Sequence, residues 1–190
     1  MTWRTLLAIL PFSIGVIVSV IFFFFMDANS IVDYIGTQNA YLLMYIMATL
    51  GGLTTFNTIP YFSIILVLAS AGVNPIFLGL SSALGVMTGD SFSYLTGRQG
   101  GSLIPGRLHL LFTKIHELAT RHPKSFPFVC LLYGCVSPLS NDFITIPAGM
   151  AKIPFWRVMF PLGVGNIIFN ITLAYLSVYA YDWVQTVFVG

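Results

Sequence analysis

The chain has 190 residues, 57% of them hydrophobic and 15% aromatic, and only 7% charged, against roughly 25% in an ordinary soluble domain. Eight Lys and Arg with six Asp and Glu leave too little polar surface to cover a water-facing molecule of 20.9 kDa, which excludes a soluble enzyme. A net charge of +2 is too mild for a nucleic-acid partner, and the length allows a single membrane domain over residues 1–190.

The first apolar run, Thr5 to Phe25, is about twice the length of a signal-peptide core, and no small-residue cleavage site follows it before Asp27. A transmembrane helix is therefore predicted over 5–26. Residues 41–73 are too long for one span, and their middle reads Gly51-Gly52-Leu53-Thr54-Thr55-Phe56-Asn57-Thr58-Ile59-Pro60, which disfavours a continuous helix. Two arms of about 10 residues would each reach roughly 15 Å, half of a hydrocarbon core about 30 Å thick. The expectation is a re-entrant hairpin broken at Pro60.

A full transmembrane helix is predicted over 75–96, interrupted by Gly79, Gly85 and Gly89. The connector 97–125 carries Arg98, Arg107, Lys114, Arg121 and Lys124 and all three histidines. Within it Leu108, Leu111, Phe112, Ile115, Leu118 and Ala119 recur at helical spacing, predicting a cytoplasmic amphipathic helix against the headgroups. The histidines at 109, 116 and 122 have spacings unlike a metal site and read as solvated. Residues 126–151 repeat the broken pattern, with short arms around Ser137-Pro138-Leu139-Ser140-Asn141-Asp142, and Pro138 marks the second break. Cys130 and Cys135 in this stretch read as small core residues. A last transmembrane helix is predicted over 154–181, and 182–190 is left as a tail.

With Arg4 cytoplasmic, two hairpins and three full spans put all eight basic residues on the inner side, as the positive-inside rule requires. Hairpin plus span then occurs twice in opposite orientation. The fold class expected is all-α integral membrane: an inverted repeat of re-entrant helical hairpin plus transmembrane helix, with an additional N-terminal transmembrane helix. The series Pro60, Ala71-Gly72, Gly85 is echoed by Pro138, Ala148-Gly149, Gly163.

Polar groups at membrane depth are the candidate site. A carboxylate there costs roughly 2.5 to 3.5 kcal/mol on insertion scales, so it must be protonated, paired or hydrated. Asp142 is a candidate for substrate or proton binding, or else a cap on the returning arm, a role it would share with Asn141. Asp90, Tyr94 and Arg98 follow one another at i+4 on one helix face, Arg98 being either a headgroup ligand or a snorkelling anchor. Asn57 at the first tip faces Asn141 at the second if the tips meet, and helix N-termini there would favour an anion. Gly85-x-x-x-Gly89 and the Asn166, Asn170 pair read mainly as interhelical packing. No catalytic residues and no metal site are expected. The chain lacks a histidine at membrane depth, and Asp90 and Asp142 are expected to approach opposite parts of the bilayer, which argues against a carboxylate dyad.

Gly89-Asp90-x3-Tyr94-x2-Gly97-Arg98-x2-Gly101, following Ala71-Gly72, resembles the DedA/VTT superfamily, also called SNARE-associated membrane proteins. Pro138-x2-Asn141-Asp142-x4-Pro147-x-Gly149, Pro154-Phe155-Trp156-Arg157 and Gly165-Asn166 resemble the second half of a small prokaryotic member. The resemblance implies a lipid transporter, a flippase or scramblase in a cell membrane, moving a polyprenyl phosphate of undecaprenyl or dolichyl type or a phospholipid. It also implies proton coupling; sodium is the other coupling ion considered, and no cofactor is expected. The partners implied are membrane lipids, among them an anionic lipid phosphate; a second copy of the chain is a further candidate. Many bacterial members have arginines three residues before and after the second proline, where this chain has Cys135 and Asn141. They also have an acidic residue in the first hairpin, where Asn57 is the nearest polar candidate. Losing two cations weakens the case for a bound phosphate. Two other readings stand beside this one: a small-solute or ion transporter of the same architecture, and a membrane scaffold whose polar turns are purely structural.

Overall fold

The computed structural model of the chain describes residues 28–53, 58–99, 109–122, 124–137 and 140–188, all helix and connecting turns without a strand. The helices are α1 (Ala28–Ile35), α2 (Thr37–Leu53), α3 (Thr58–Ser70), α4 (Pro75–Gln99), α5 (His109–Arg121), α6 (Phe126–Val136), α7 (Asp142–Met150) and α8 (Phe155–Phe188). The N-terminal helix predicted over 5–26, the candidate Asn57, the break residue Pro138 and the connector over 100–108 lie outside the described residues.

Several boundaries differ from expectation. The first arm, α2, is 17 residues rather than about 10, and it runs through Gly51 and Gly52 without breaking. Packing decides this: a methyl added at Gly52 would lie 3.1 Å from Gly89 Cα and 3.1 Å from Val86 O, so the bare backbone lets α2 close on α4. Pro60 does not break the chain either. It sits in the first turn of α3, where its missing N–H costs nothing. The residues after Gly36, which takes a positive φ of 78°, start α2 sooner than the hydropathy predicts, and α8 continues through the expected tail to Phe188.

Helices α4 and α8 run antiparallel through the centre. Gly79 meets Ile171, Ser82 bonds Asn170, and Gly163 meets Met87. Around this pair, α2 packs along α4 and α6 along α8, while α3 packs on α8 and α7 on α4. Apolar side chains gather in two clusters. One joins Met44, Ile65, Leu68 and Leu78 to Ala174 in the second half of α8. The other joins Tyr94 near the end of α4 to Phe126, Ile144, Met159 and Leu162. In α5, Ala119 is buried and Ile115 half-buried in the second cluster, whereas Leu118, predicted for the apolar face, is exposed.

Outside and inside are inverted relative to a water-soluble bundle. Leu42, Ile46 and Leu50 form an exposed stripe at i+4 spacing on α2, and Phe128, Leu132 and Val136 form one on α6, with Val136 73% exposed. Buried within are Ser82 and Asp90 of α4, Asn141, Asp142 and Thr145, and Asn166, Asn170 and Ser177 of α8. Among the described residues, Phe155–Tyr179 is the one helix both long and apolar enough to cross a membrane. Helix α4 has the length, 25 residues or about 37 Å. Its hydropathy is lowered by serines and Asp90, which face the interior.

The turns closing α3 and α7 share a hydrogen-bond pattern. Gly72 N donates to Ala69 O and Val73 N to Leu68 O; Lys152 N donates to Gly149 O and Ile153 N to Ala148 O. Both are Schellman caps, with Gly72 (φ 78°) and Lys152 (φ 53°) at the left-handed position. The echo is thus displaced: Lys152, not Gly149, stands where Gly72 does. A lysine pays for that conformation, so Lys152→Gly is expected to stabilise the protein by about 1 kcal/mol. A raised thermal midpoint in circular dichroism checks this; an unchanged or lower one contradicts it.

Candidate functional site

The polar interior converges where α4 and α8 cross. Asn141 lies in the turn before α7, and its amide Nδ2 donates to Asp90 Oδ2 at 2.7 Å and to Asn166 Oδ1 at 3.2 Å. Asn166 Nδ2 donates to the same carboxylate oxygen at 3.4 Å. Asp90 is 2% exposed, so these amides replace the water it loses on burial. One turn further along α8, Asn170 Nδ2 donates to Asn166 O at 2.8 Å and its Oδ1 accepts from Ser82 Oγ at 2.9 Å, fixing the orientation of the second asparagine.

Beside this cluster lies a small open cavity. Its polar wall is Asp90, Ser137, Ser140, Asn141 and Asn166. Its apolar wall is Gly51, Gly52, Tyr61, Phe62, Val86 and Phe169. Both broken stretches and both central helices contribute. The ring centroids of Tyr61 and Phe62 are 4.4 Å apart, and those of Phe62 and Phe169 are 5.9 Å apart.

The predicted candidates divide. Asp90 and Asn141 are in the cavity wall. Asp142 is buried next to Asn141, yet it is not in the cavity wall, and its Oδ1 has no hydrogen-bond partner among the described residues. Nor does it cap α7: no side-chain cap bond is made by Asn141 or Asp142, and Ser140 Oγ accepts from Asp142 N at 3.3 Å. Asp90 and Asp142 do not approach opposite parts of the fold. The bond from Asn141 brings α7 onto α4 at the level of Asp90.

Tyr94 and Arg98 continue the stripe along α4 but do not reach the cavity. Tyr94 is fully buried, its hydroxyl donates to Ile153 O in the turn after α7, and Arg98 Nη1 donates to that hydroxyl at 3.3 Å from an exposed position. They fasten the end of α4 to the turn before α8. Pro138 and Asn57 lie outside the described residues.

Asn166, Tyr61, Phe62 and Phe169 are among the wall residues that sequence reasoning did not single out as site residues. Asn166 had a signal, being a polar residue inside a predicted span, but an Asn pair at i+4 is also ordinary interhelical glue. Tyr61, Phe62 and Phe169 had none, because aromatic residues are frequent throughout this chain. Among the described residues, no group of three or more His, Cys, Asp or Glu is placed to hold a metal ion.

The VTT domain family model matches residues 59–179, more than half of the chain, spanning α4 to α7 and most of α3 and α8. No curated protein and no solved structure matches.

Proposed function

The chain belongs to the VTT domain family, a membrane-associated family, and from that premise we propose that it is a membrane lipid transporter whose cavity passes a lipid headgroup between leaflets. The observation that carries this reading is a cavity with one polar wall at the crossing of α4 and α8, in a molecule whose outer faces carry apolar stripes. An amphiphile crossing a bilayer needs both: a polar path for its headgroup and an apolar exterior along which its chains remain in lipid.

The proposal includes an arrangement in the membrane. The stretches α2–α3 and α6–α7 are two re-entrant hairpins, α4 and α8 are spans, and the two units form an inverted repeat. The matched packing of α2 on α4 and α6 on α8, the exchanged packing of α3 on α8 and α7 on α4, and the two identical Schellman caps support it. So does the placement of glycines: a methyl at Gly85 would be 3.1 Å from Thr49 N on α2, and one at Gly165 would be 2.9 Å from Cys135 N on α6. The N-terminus is assigned to the cytoplasm and the protein to the cell membrane, on the distribution of Lys and Arg.

The direct test uses purified protein in vesicles carrying a phospholipid with a fluorescent headgroup, quenched from outside by dithionite. Runs with and without a pH gradient, and with a polyprenyl phosphate in place of the phospholipid, address coupling and substrate. Loss of fluorescence beyond the outer-leaflet pool is expected; the same trace as empty vesicles for every lipid contradicts the proposal. Tyr94→Phe separates fastening from transport. It leaves the Ile153 carbonyl without its donor and is expected to cost about 1–2 kcal/mol in unfolding, while the rate per folded molecule is unchanged. A rate that falls with stability intact would make Tyr94 part of the path.

A further inference from the structure

The wall of the cavity is chemically lopsided. Among the described residues its one carboxylate is that of Asp90, and no described Lys, Arg or His stands in it. The described basic side chains, Arg98, Lys114, Arg121, Lys124, Lys152 and Arg157, are all exposed.

Both amides that hold Asp90 bind the same oxygen. Oδ2 accepts from Asn141 and Asn166, while Oδ1 accepts no hydrogen bond among the described residues. The same cavity is also lined by Tyr61, Phe62 and Phe169. A carboxylate in a cavity lined by several aromatic residues is the chemistry that holds an ammonium: the acid supplies counter-charge and N–H acceptors, and the ring quadrupoles attract the cation.

A phosphate would meet the reverse. It would face a carboxylate with no cation to offset the repulsion. The positive end of α7 is no substitute, because Asp142 occupies its first turn and the Asp142 N–H is already bonded to Ser140.

We propose that the cavity between the two broken stretches binds an ammonium group, with Asp90 as its counter-ion and Tyr61, Phe62 and Phe169 as its aromatic wall. The proposal rests on the transport reading for what becomes of the ligand, but not for the binding itself. The ammonium is either the amine end of a phospholipid headgroup or a free amine.

The test is calorimetric and thermal titration of the full-length protein in nanodiscs of phosphatidylglycerol, using ethanolamine, sodium chloride and inorganic phosphate at matched ionic strength. Ethanolamine is expected to bind saturably and raise the unfolding temperature, and neither sodium nor phosphate to do so. Asp90→Asn, nearly isosteric, is expected to weaken ethanolamine at least about tenfold, and Phe62→Leu about threefold or more. Saturable stabilisation by phosphate or by sodium alone overturns the proposal, as does an ethanolamine affinity untouched by both substitutions. Should Asp90→Asn fail to fold, Phe62→Leu decides.

Vesicle transport separates the sources. Faster movement of phosphatidylethanolamine than of phosphatidylglycerol identifies a lipid amine. Ethanolamine binding without that preference identifies a free amine. Lipid movement without any ethanolamine binding overturns the ammonium site and leaves the transport reading standing.

Discussion

Replacing Gly97 or Gly149 by alanine is expected to prise α7 from α4 and lower stability by about 1–3 kcal/mol at each position. A methyl on Gly97 would run into the Ile146 carbonyl and lie 2.9 Å from Ile146 Cα; one on Gly149 would run into the Tyr94 carbonyl and lie 2.9 Å from Arg98 N. These obstacles are backbone, which cannot swing aside, and both methyls enter one crossing from opposite sides. The double variant should therefore lose the crossing altogether, and with it the contact between Asn141 and Asp90. Gly163→Ala is the internal control. Its methyl meets the end of the Met87 side chain, with Sδ at 2.5 Å, and a methionine can adopt another rotamer. Thermal unfolding followed by circular dichroism should rank Gly163→Ala well above the other two. Equal losses at all three sites would mean that the α4–α7 approach is looser than described.

Asn141→Leu is expected to cost about 2–4 kcal/mol and to abolish lipid movement. The substitution keeps the branched shape of the side chain but removes the 2.7 Å donor to Asp90, leaving a buried carboxylate with only the 3.4 Å contact from Asn166. The cost arises from the stranded acid rather than from the lost amide. Adding Asp90→Leu should therefore recover part of the stability, while transport stays lost because the cavity has no charge. Additive losses in the double variant, measured by chemical unfolding, would show that Asp90 and Asn141 are not coupled.

Much of this fold is written in the order of apolar and broken segments. The run from Pro154 onward announces α8, and the polar interruptions near 51–60 and 137–142 announce two stretches of paired arms. Asp90 stood out as an acid inside an apolar helix and is in the wall. What the chain order does not contain is rotation and contact. Asn141 and Asp142 are neighbours in sequence, yet about 100° of helical turn separates their directions, enough to send one into the cavity and leave the other beside it. Gly51 and Gly52 look like a break, and their propensity is indeed poor, but close packing against α4 outweighs it. Lys152 conceals a turn that glycine would have advertised. The aromatic wall is invisible for a different reason: with rings distributed along the whole chain, nothing marks Tyr61, Phe62 and Phe169 as the three that meet across two elements.

The claim that a headgroup passes through the cavity can be tested by filling it. In a protein with Cys130 and Cys135 replaced by serine, Ser140→Cys places a thiol in the cavity wall, and Thr120→Cys places one on the exposed face of α5. Each variant is labelled with a bulky maleimide in vesicles and assayed for lipid movement. The account predicts that labelling at Ser140→Cys stops movement while labelling at Thr120→Cys leaves it unchanged. Undiminished movement with the label in place at position 140 would contradict it.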